Sequence, residues 1–452
     1  MNGSDRVSQD TTLDLLSDLI TRAKRHGADA ADALGYEATS VSIGQRLGKP
    51  EHTERAEGAD IGLRVFVGKR MAMVSTADRS KDALEELAER AVAMARVVPE
   101  DPLVGLADPD QLATELPDLD LADDGEPDES TLAARAAEAE AAALAVDGVE
   151  NSEGAEAAFS SSTVAVAASN GFANSYRTTG SSLYASVVAG SGDGMETDYD
   201  YTRASHGEDL KNPEEIGRRA GERAVARLGA RKVPTGQVPV IYDQRVSASL
   251  LNHLLGAING AAIARGTSFL KDRMGEALFD AGITVLEEPH IKRGLRSKPC
   301  DAEGLPNHTR ALIDEGKLTT WLLDLRSARQ LGLQSTGHAS RGITSPPSPS
   351  PTNIKLVPGQ ATPEELMADI EEGFLITSMM GSSVSLVTGD YSRGASGFWI
   401  EKGKPAFPVN EVTVAGNLTD MFARLIPAND FERKSGVDAP SIRIDGMTVA
   451  GQ

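Results

Sequence analysis

Four side chains of different chemistry stand in a row at Asp390-Tyr391-Ser392-Arg393: a carboxylate, a phenol, a hydroxyl and a guanidinium. Gly389, Gly394 and Gly397 flank them and leave the backbone open to close approach. The planar fork of Arg393 matches a carboxylate, either the terminus of a bound peptide or an acid of a partner. The same residues also read as a Gly-rich turn stiffened by an internal Asp390–Arg393 pair. Thr388 to Gly397 is therefore expected to be a loop that lines a substrate path or meets a partner, running into the strand Phe398-Trp399-Ile400.

Other chemistry is scattered. Ser268-Phe269-Leu270-Lys271 fits the Ser-x-x-Lys pattern of some acyl-enzyme hydrolases, without the Lys-Thr-Gly element that accompanies it. Seven histidines are present, but no two lie three to five residues apart, so the helical or finger-type zinc pair is missing. Glu287-Glu288-Pro289-His290, and Cys300-Asp301-Ala302-Glu303 with His308, hold ligand-type residues in no recognised spacing. Gly190 to Gly194 is glycine-rich but lacks the dinucleotide-binding pattern.

The elements that would position these groups follow from composition and periodicity. A chain of 452 residues exceeds one small core. Aromatic residues at 4% imply cores of Leu, Val, Ile and Ala. A formal charge of −22 argues against nucleic acid and anionic membrane as partners. The single Cys300 excludes an internal disulfide, and neither an apolar span nor an apolar signal core is visible, so a cytoplasmic location is expected. Helices are expected from Asp10 or Thr11 to Gly27, over Lys81–Arg96, over Ser130–Val146 and over Pro213–Leu228. Strands are expected at 39–43, 62–67, 71–74, 163–168, 172–177 and 183–188. Glu89-Arg90-Ala91-Val92-Ala93 recurs as Glu222-Arg223-Ala224-Val225-Ala226, which points to a helix–strands–helix duplication. Residues 100–129 carry twelve acids, four prolines and no Lys or Arg, the pattern of an extended acidic surface linker. Beyond Val233-Pro234-Thr235-Gly236, a strand at 238–242, a small-residue helix at 245–264 and serial hairpins around 311–323 and 398–414 suit a barrel. Thr362-Pro363-Glu364-Glu365 starts a helix. Ser345 to Pro351 must be extended, as a mobile segment or a partner contact. The expected class is α+β: an amino-terminal helix–antiparallel-sheet domain, residues 1–232 with the linker at 100–129, then a β-barrel-like domain with a few helices, residues 233–452.

Several stretches together resemble the PmbA/TldD family: Arg265-Gly266-Thr267-Ser268-Phe269, Asp301-Ala302-Glu303-Gly304, Trp321-Leu322-Leu323-Asp324, Ser327-Ala328-Arg329, Ser335-Thr336-Gly337-His338-Ala339 and the run from Thr388 to Leu418. The resemblance is to its PmbA (TldE) branch. In the TldD branch a His-Glu-x-x-x-His helix precedes the Arg-Gly-Thr-Ser segment and binds the catalytic metal. Counting back from Arg265 puts those positions at Leu251, Asn252 and Gly256, with His253 nearby but out of place. Leu and Gly offer no ligand atom, and Asn is a poor general base. The resemblance implies a subunit with no metal and no catalytic residue of its own, partnered by a zinc-bearing TldD-type subunit. Together they would act on unfolded or small peptides, in antitoxin turnover and peptide-antibiotic maturation; the older family label is modulator of DNA gyrase. Whether this chain is an enzyme stays open: the alternatives are an autonomous hydrolase built on Ser268 and Lys271, and a peptide-binding scaffold.

Overall fold

The computed structural model describes residues 3–451, and the side chains of residues 11–451. The first helix, α1 (Gly3–Arg25), begins before the expected Asp10 or Thr11 and buries Leu16, Leu19, Ile20 and Ala23. Gly27, at φ +103°, ends it where expected. Three antiparallel strands follow, β1 (Ala30–Arg46), β2 (Lys49–Val67) and β3 (Arg70–Thr76), then α2 (Lys81–Val97). After the acidic segment the order repeats: α3 (Glu129–Leu144), β4 (Val149–Ala168), β5 (Ala173–Ala189), β6 (Glu196–Ala204) and α4 (Pro213–Ala226). All six strands form one sheet, ordered β3-β2-β1-β4-β5-β6, with β1 and β4 antiparallel at its centre. The two Glu-Arg-Ala-Val-Ala runs fall in α2 and α4, the last element of each unit, as a duplication requires.

The strands are longer than their apolar stretches. The segments expected at 39–43 and 62–67 belong to the long hairpin β1–β2, which turns at Leu47-Gly48 with both φ positive, +50° and +71°. The segments expected at 172–177 and 183–188 are one strand, β5. Pairing with neighbours carries the strand through polar residues that periodicity alone leaves out. Helices cover one face. Leu16, Leu19, Leu84 and Leu87 pack on Ala31, Ala33, Ile61 and Leu63, and Leu132 and Ala136 on Val41, Ala157 and Phe159. The α3 and α4 helices meet so closely that a Cβ at Gly217 would lie 1.9 Å from Ala139 O.

The carboxy-terminal half begins with β7 (Gly236–Tyr242), α5 (Gln244–Ala257) and α6 (Gly260–Ala264). The single helix expected over 245–264 is broken at Ile258-Asn259, where the Asn259 side chain caps α6. Short strands follow: β8 (Val285–Glu287), β9 (Arg310–Asp314) and β10 (Lys317–Leu318), then α7 (Leu325–Leu331), β11 (Ala339–Ser340), β12 (Ser348–Pro349) and β13 (Ile354–Leu356). The chain ends through α8 (Pro363–Met367), β14 (Glu372–Val384), β15 (Asp390–Glu401), β16 (Lys404–Asn417), α9 (Leu418–Ala423), β17 (Leu425–Pro427), β18 (Val437–Asp438) and β19 (Ile442–Ala450). The strands run β16-β15-β14-β7-β19, and pairing of Thr413 to Ala415 with Thr448 to Ala450 joins β19 back to β16. The result is a closed five-stranded barrel, which leaves no free sheet edge among those strands. The hairpins at Glu315-Gly316 and Lys402-Gly403 form as their sequences require, but only the second belongs to the barrel; the first joins β9 and β10 in a separate sheet, β10-β9-β8-β13-β18, contrary to expectation.

The acidic segment is extended, as its composition demands, but it is tied down. Arg329 donates to the carbonyls of Leu103, Gly105 and Leu106 at 2.7–3.0 Å, and Thr179 N donates to Leu121 O at 2.9 Å. The Pro-rich run is extended, and its second half is anchored to the fold. Ser348 and Pro349 pair with Ser340 and Ala339, and Pro346 and Pro347 line a small cavity together with Arg64 of β2. The two halves also share a buried ion cluster in which Asp32 binds both Arg64 and Arg341. Burial alone would raise the Asp32 pKa, but the two guanidiniums hold it below the usual carboxylate range.

Candidate functional site at helix α5 and the β14–β15 hairpin

Helix α5 starts directly after β7, capped by Asp243, whose side chain accepts from Arg245 N at 2.8 Å. Leu250, Leu251, Leu254 and Leu255 are buried and fasten the helix to the barrel core. Ser249, His253 and Gly256 fall at i, i+4 and i+7 and share the face toward the β14–β15 hairpin. There Ser249 Oγ lies 3.6 Å from Met379 Sδ. The His253 ring meets Tyr391 edge-on, 5.8 Å between centroids. A Cβ at Gly256 would stand 3.0 Å from Leu386 Cδ1.

The signature residues are therefore not a loop. Only the segment up to Gly389 turns; Asp390 to Arg393 open strand β15. Period-2 alternation then separates them. Tyr391 is 2% exposed and belongs to the core. Its hydroxyl lies 3.3 Å from that of Tyr242, and burial pushes its pKa up to about 12. Asp390 accepts from Thr388 Oγ1 at 2.7 Å and from Asn417 Nδ2 at 3.3 Å, so it secures the turn. The internal Asp390–Arg393 pair does not form. Arg393 donates through Nε to Gly381 O across the hairpin at 2.9 Å, and among the described residues it makes no ion pair with a carboxylate. Ser392 is half-buried and alternates to the side opposite Tyr391 and Arg393.

Of the positions aligned with the metal motif, Leu251 is 2% exposed in the core, Asn252 is exposed and Gly256 half-buried. His253 is the residue that the tertiary structure adds. Its Nε2 is buried without a hydrogen-bond partner. Burial and then the Arg393 charge lower its pKa, which favours the neutral imidazole. The helical spacing of Ser249, His253 and Gly256 was the available signal; their common neighbour on β15 was not visible in it. A guanidinium without a carboxylate beside a neutral imidazole can receive a carboxylate or a peptide carbonyl.

The other candidates are taken up by structure. Ser268 Oγ donates to Ala257 O at 2.6 Å and accepts from Leu270 N at 3.0 Å. Ser268 is 3% exposed, whereas Lys271 is exposed, so the pair is not a nucleophile and its base. The Glu287–His290 cluster disperses: Glu287 binds His338 Nε2 at 2.6 Å and Thr352, Glu288 pairs with Arg433 and Lys355, and His290 binds Asn307. Cys300 lies between the halves among Leu34, Val166 and Phe172, and burial pushes its thiol up to about 12. Asp301 accepts from three backbone amides, of Glu303, Leu305 and Ala339. Among the described residues no three His, Cys, Asp or Glu side chains converge in a way that could hold a metal, and no helix is long and apolar enough to cross a membrane.

Comparison with known proteins agrees with this architecture. Residues 31–95, 122–228 and 235–451 match domain 1, the central domain and the C-terminal domain of the PmbA/TldA metallopeptidases. Metalloprotease PmbA of Escherichia coli O157:H7 is 37% identical over 94% of this chain and 93% of its own length. The PmbA homologue of Haemophilus influenzae is 35% identical over 96% and 94%. The TldD homologue of the same organism is 26% identical over 51% of this chain and 52% of its own length. Among solved structures, a Bacteroides thetaiotaomicron VPI-5482 protein named as a candidate modulator of DNA gyrase superposes with TM-score 0.90 at 26% identity, covering 97% of this chain and 98% of that one. TldE of Thermococcus kodakarensis shares the fold, with TM-score 0.86 at 21% identity over 97% and 100%. A sheet half, a barrel half and near full-length similarity to PmbA proteins lead to one statement: the chain belongs to the PmbA/TldA metallopeptidase family, on its PmbA side.

Proposed function

We propose that this chain is the metal-free subunit of a heteromeric peptidase, whose zinc and general base come from a TldD-type partner. One observation carries the reading: at the two positions where the family resemblance puts metal-binding histidines, this chain has core-packed Leu251 and half-buried Gly256, with Asn252 in place of the acid. Neither a leucine nor a glycine side chain can donate to a metal. Haemophilus influenzae carries both a PmbA homologue and a TldD homologue, which supports a two-subunit arrangement. In this reading Arg393 and His253 receive a carboxylate or carbonyl of an extended, unfolded or small peptide, while α5 and the barrel hold them in place. Antitoxins and peptide-antibiotic precursors are the substrate classes to test first. Elemental analysis of the purified chain is expected to find no stoichiometric zinc, and peptide hydrolysis is expected only after a TldD-type subunit is added. One firmly bound zinc per chain, or hydrolysis by the chain alone, would overturn the reading.

A further inference from the structure

Arg393 is aimed by an irregularity in the sheet. Along β14 and β15 the pairing runs Met379 with Ala395 and Met380 with Gly394, then resumes at Ser383 with Ser392. Gly381 and Ser382 therefore have Arg393 alone opposite them, the two-against-one count of a β-bulge, a device that re-aims side chains. Gly381 takes φ +64°, which glycine adopts without strain. Its carbonyl accepts the Nε hydrogen of Arg393 at 2.9 Å. Held through Nε, the guanidinium has both Nη groups left over, and neither makes a hydrogen bond among the described residues.

The surroundings of this fork are apolar on one side. Past Ile376, β14 no longer pairs with β7, and α5 stands beside it instead, with Ser249 Oγ 3.6 Å from Met379 Sδ. Met379, Val384 and Leu386 pack on the barrel core yet stay only half-buried. On the α5 side, His253 holds Nε2 without a hydrogen-bond partner.

A carboxylate takes two parallel bonds from a guanidinium fork and neutralises its charge, whereas a peptide carbonyl takes fewer and leaves the charge in place. Phosphate would also fit the fork, but the apolar side chains next to it offer phosphate nothing. An acidic protein surface is repelled by a chain of formal charge −22; a single carboxylate on an apolar residue largely escapes that. We propose that this site selects the free carboxylate end of a peptide whose last side chain is apolar. Arg393 holds the carboxylate, and Met379, Val384 and Leu386 hold the side chain. The role of the site as a substrate site rests on the peptidase reading above; cleavage by the partner would then be counted from the carboxy-terminal end of the substrate.

The test is calorimetric titration of the full chain with acetyl-Ala-Ala-Ala-Leu, as the free acid and as the amide. The acid should bind at least about tenfold more tightly than the amide. Replacing the last leucine of the probe by glycine should weaken the acid at least about threefold. Arg393→Gln should bring acid and amide within about twofold of each other, and Arg393→Lys should keep only part of the preference, because an ammonium lacks the planar fork. Arg90→Gln removes a positive charge from an exposed position on α2 and should leave the preference within about twofold of wild type. The inference is overturned if neither probe binds, if acid and amide bind alike, or if Arg393→Gln keeps the preference. Peptide hydrolysis after addition of a TldD-type subunit is scored separately. A preference for the acid without any hydrolysis supports this site and sinks the peptidase reading; hydrolysis without the preference does the reverse.

Discussion

Glu303 gives the sharpest quantitative test of the buried charges between the two halves. Its side chain is 4% exposed, with Oε1 4.0 Å from Arg64 Nη1 and Oε2 accepting from Leu325 N at 2.9 Å. Arg64 binds Asp32 as well, so its charge is shared. Burial pushes Glu303 up to about 8; Arg64 opposes that shift, and the charges of Asp301 and Asp324 add to it. In the unfolded chain a glutamate titrates near about 4.3. Between these values the folded chain keeps a proton that the unfolded chain has released. The group's contribution to stability is therefore complete below the unfolded value and is lost as pH rises toward 8. One pH unit is worth about 1.4 kcal/mol, so going from about pH 5.5 to about pH 8 costs roughly 3 kcal/mol through this group. Glu303→Gln keeps the shape and an acceptor for Leu325 N but cannot ionise. Urea unfolding at the two pH values should find the stability advantage of the variant growing by roughly 3 kcal/mol from the lower to the higher. Asp301, pushed up to about 6, titrates in both proteins and largely cancels in the difference. Parallel pH profiles for the two proteins would refute the argument.

Arg393→Ala should reduce peptide hydrolysis by the assembled complex at least about tenfold while costing under about 1 kcal/mol of stability, because its guanidinium is held by a hydrogen bond to Gly381 O; activity assays beside thermal melts decide it, and a large melting shift with normal activity in the folded fraction would make the residue structural. Ser268→Ala and Lys271→Ala should each leave that activity within about threefold, the serine variant losing roughly 1–2 kcal/mol in denaturant titration for its buried bond to Ala257 O. Gly217→Ala would force a Cβ against Ala139 O, 1.9 Å away, and should lower stability by about 3 kcal/mol in the same assay; an unchanged midpoint would mean α3 and α4 can separate freely.

Much of this protein was legible from neighbouring residues alone. Helix starts such as Thr362-Pro363, the hairpins at Glu315-Gly316 and Lys402-Gly403 and the two repeated αβββα units all depend on residues a few positions apart, where sterics and periodicity act directly. Tertiary structure decided what burial and distant pairing control. Lys49 to Asp60 holds no large apolar side chain, yet it is strand because β1 offers a partner. Asp390 to Arg393 looks like one polar patch, but the strand alternation sends Tyr391 into the core and leaves Arg393 beside α5, where His253 feels its charge. Asp32 and Arg341 stand 309 residues apart in the chain and 2.6 Å apart in the fold. A local pattern sets which backbone conformations are cheap; which side chains lose water, and which charges they then face, depends on surfaces that meet only when the chain is folded.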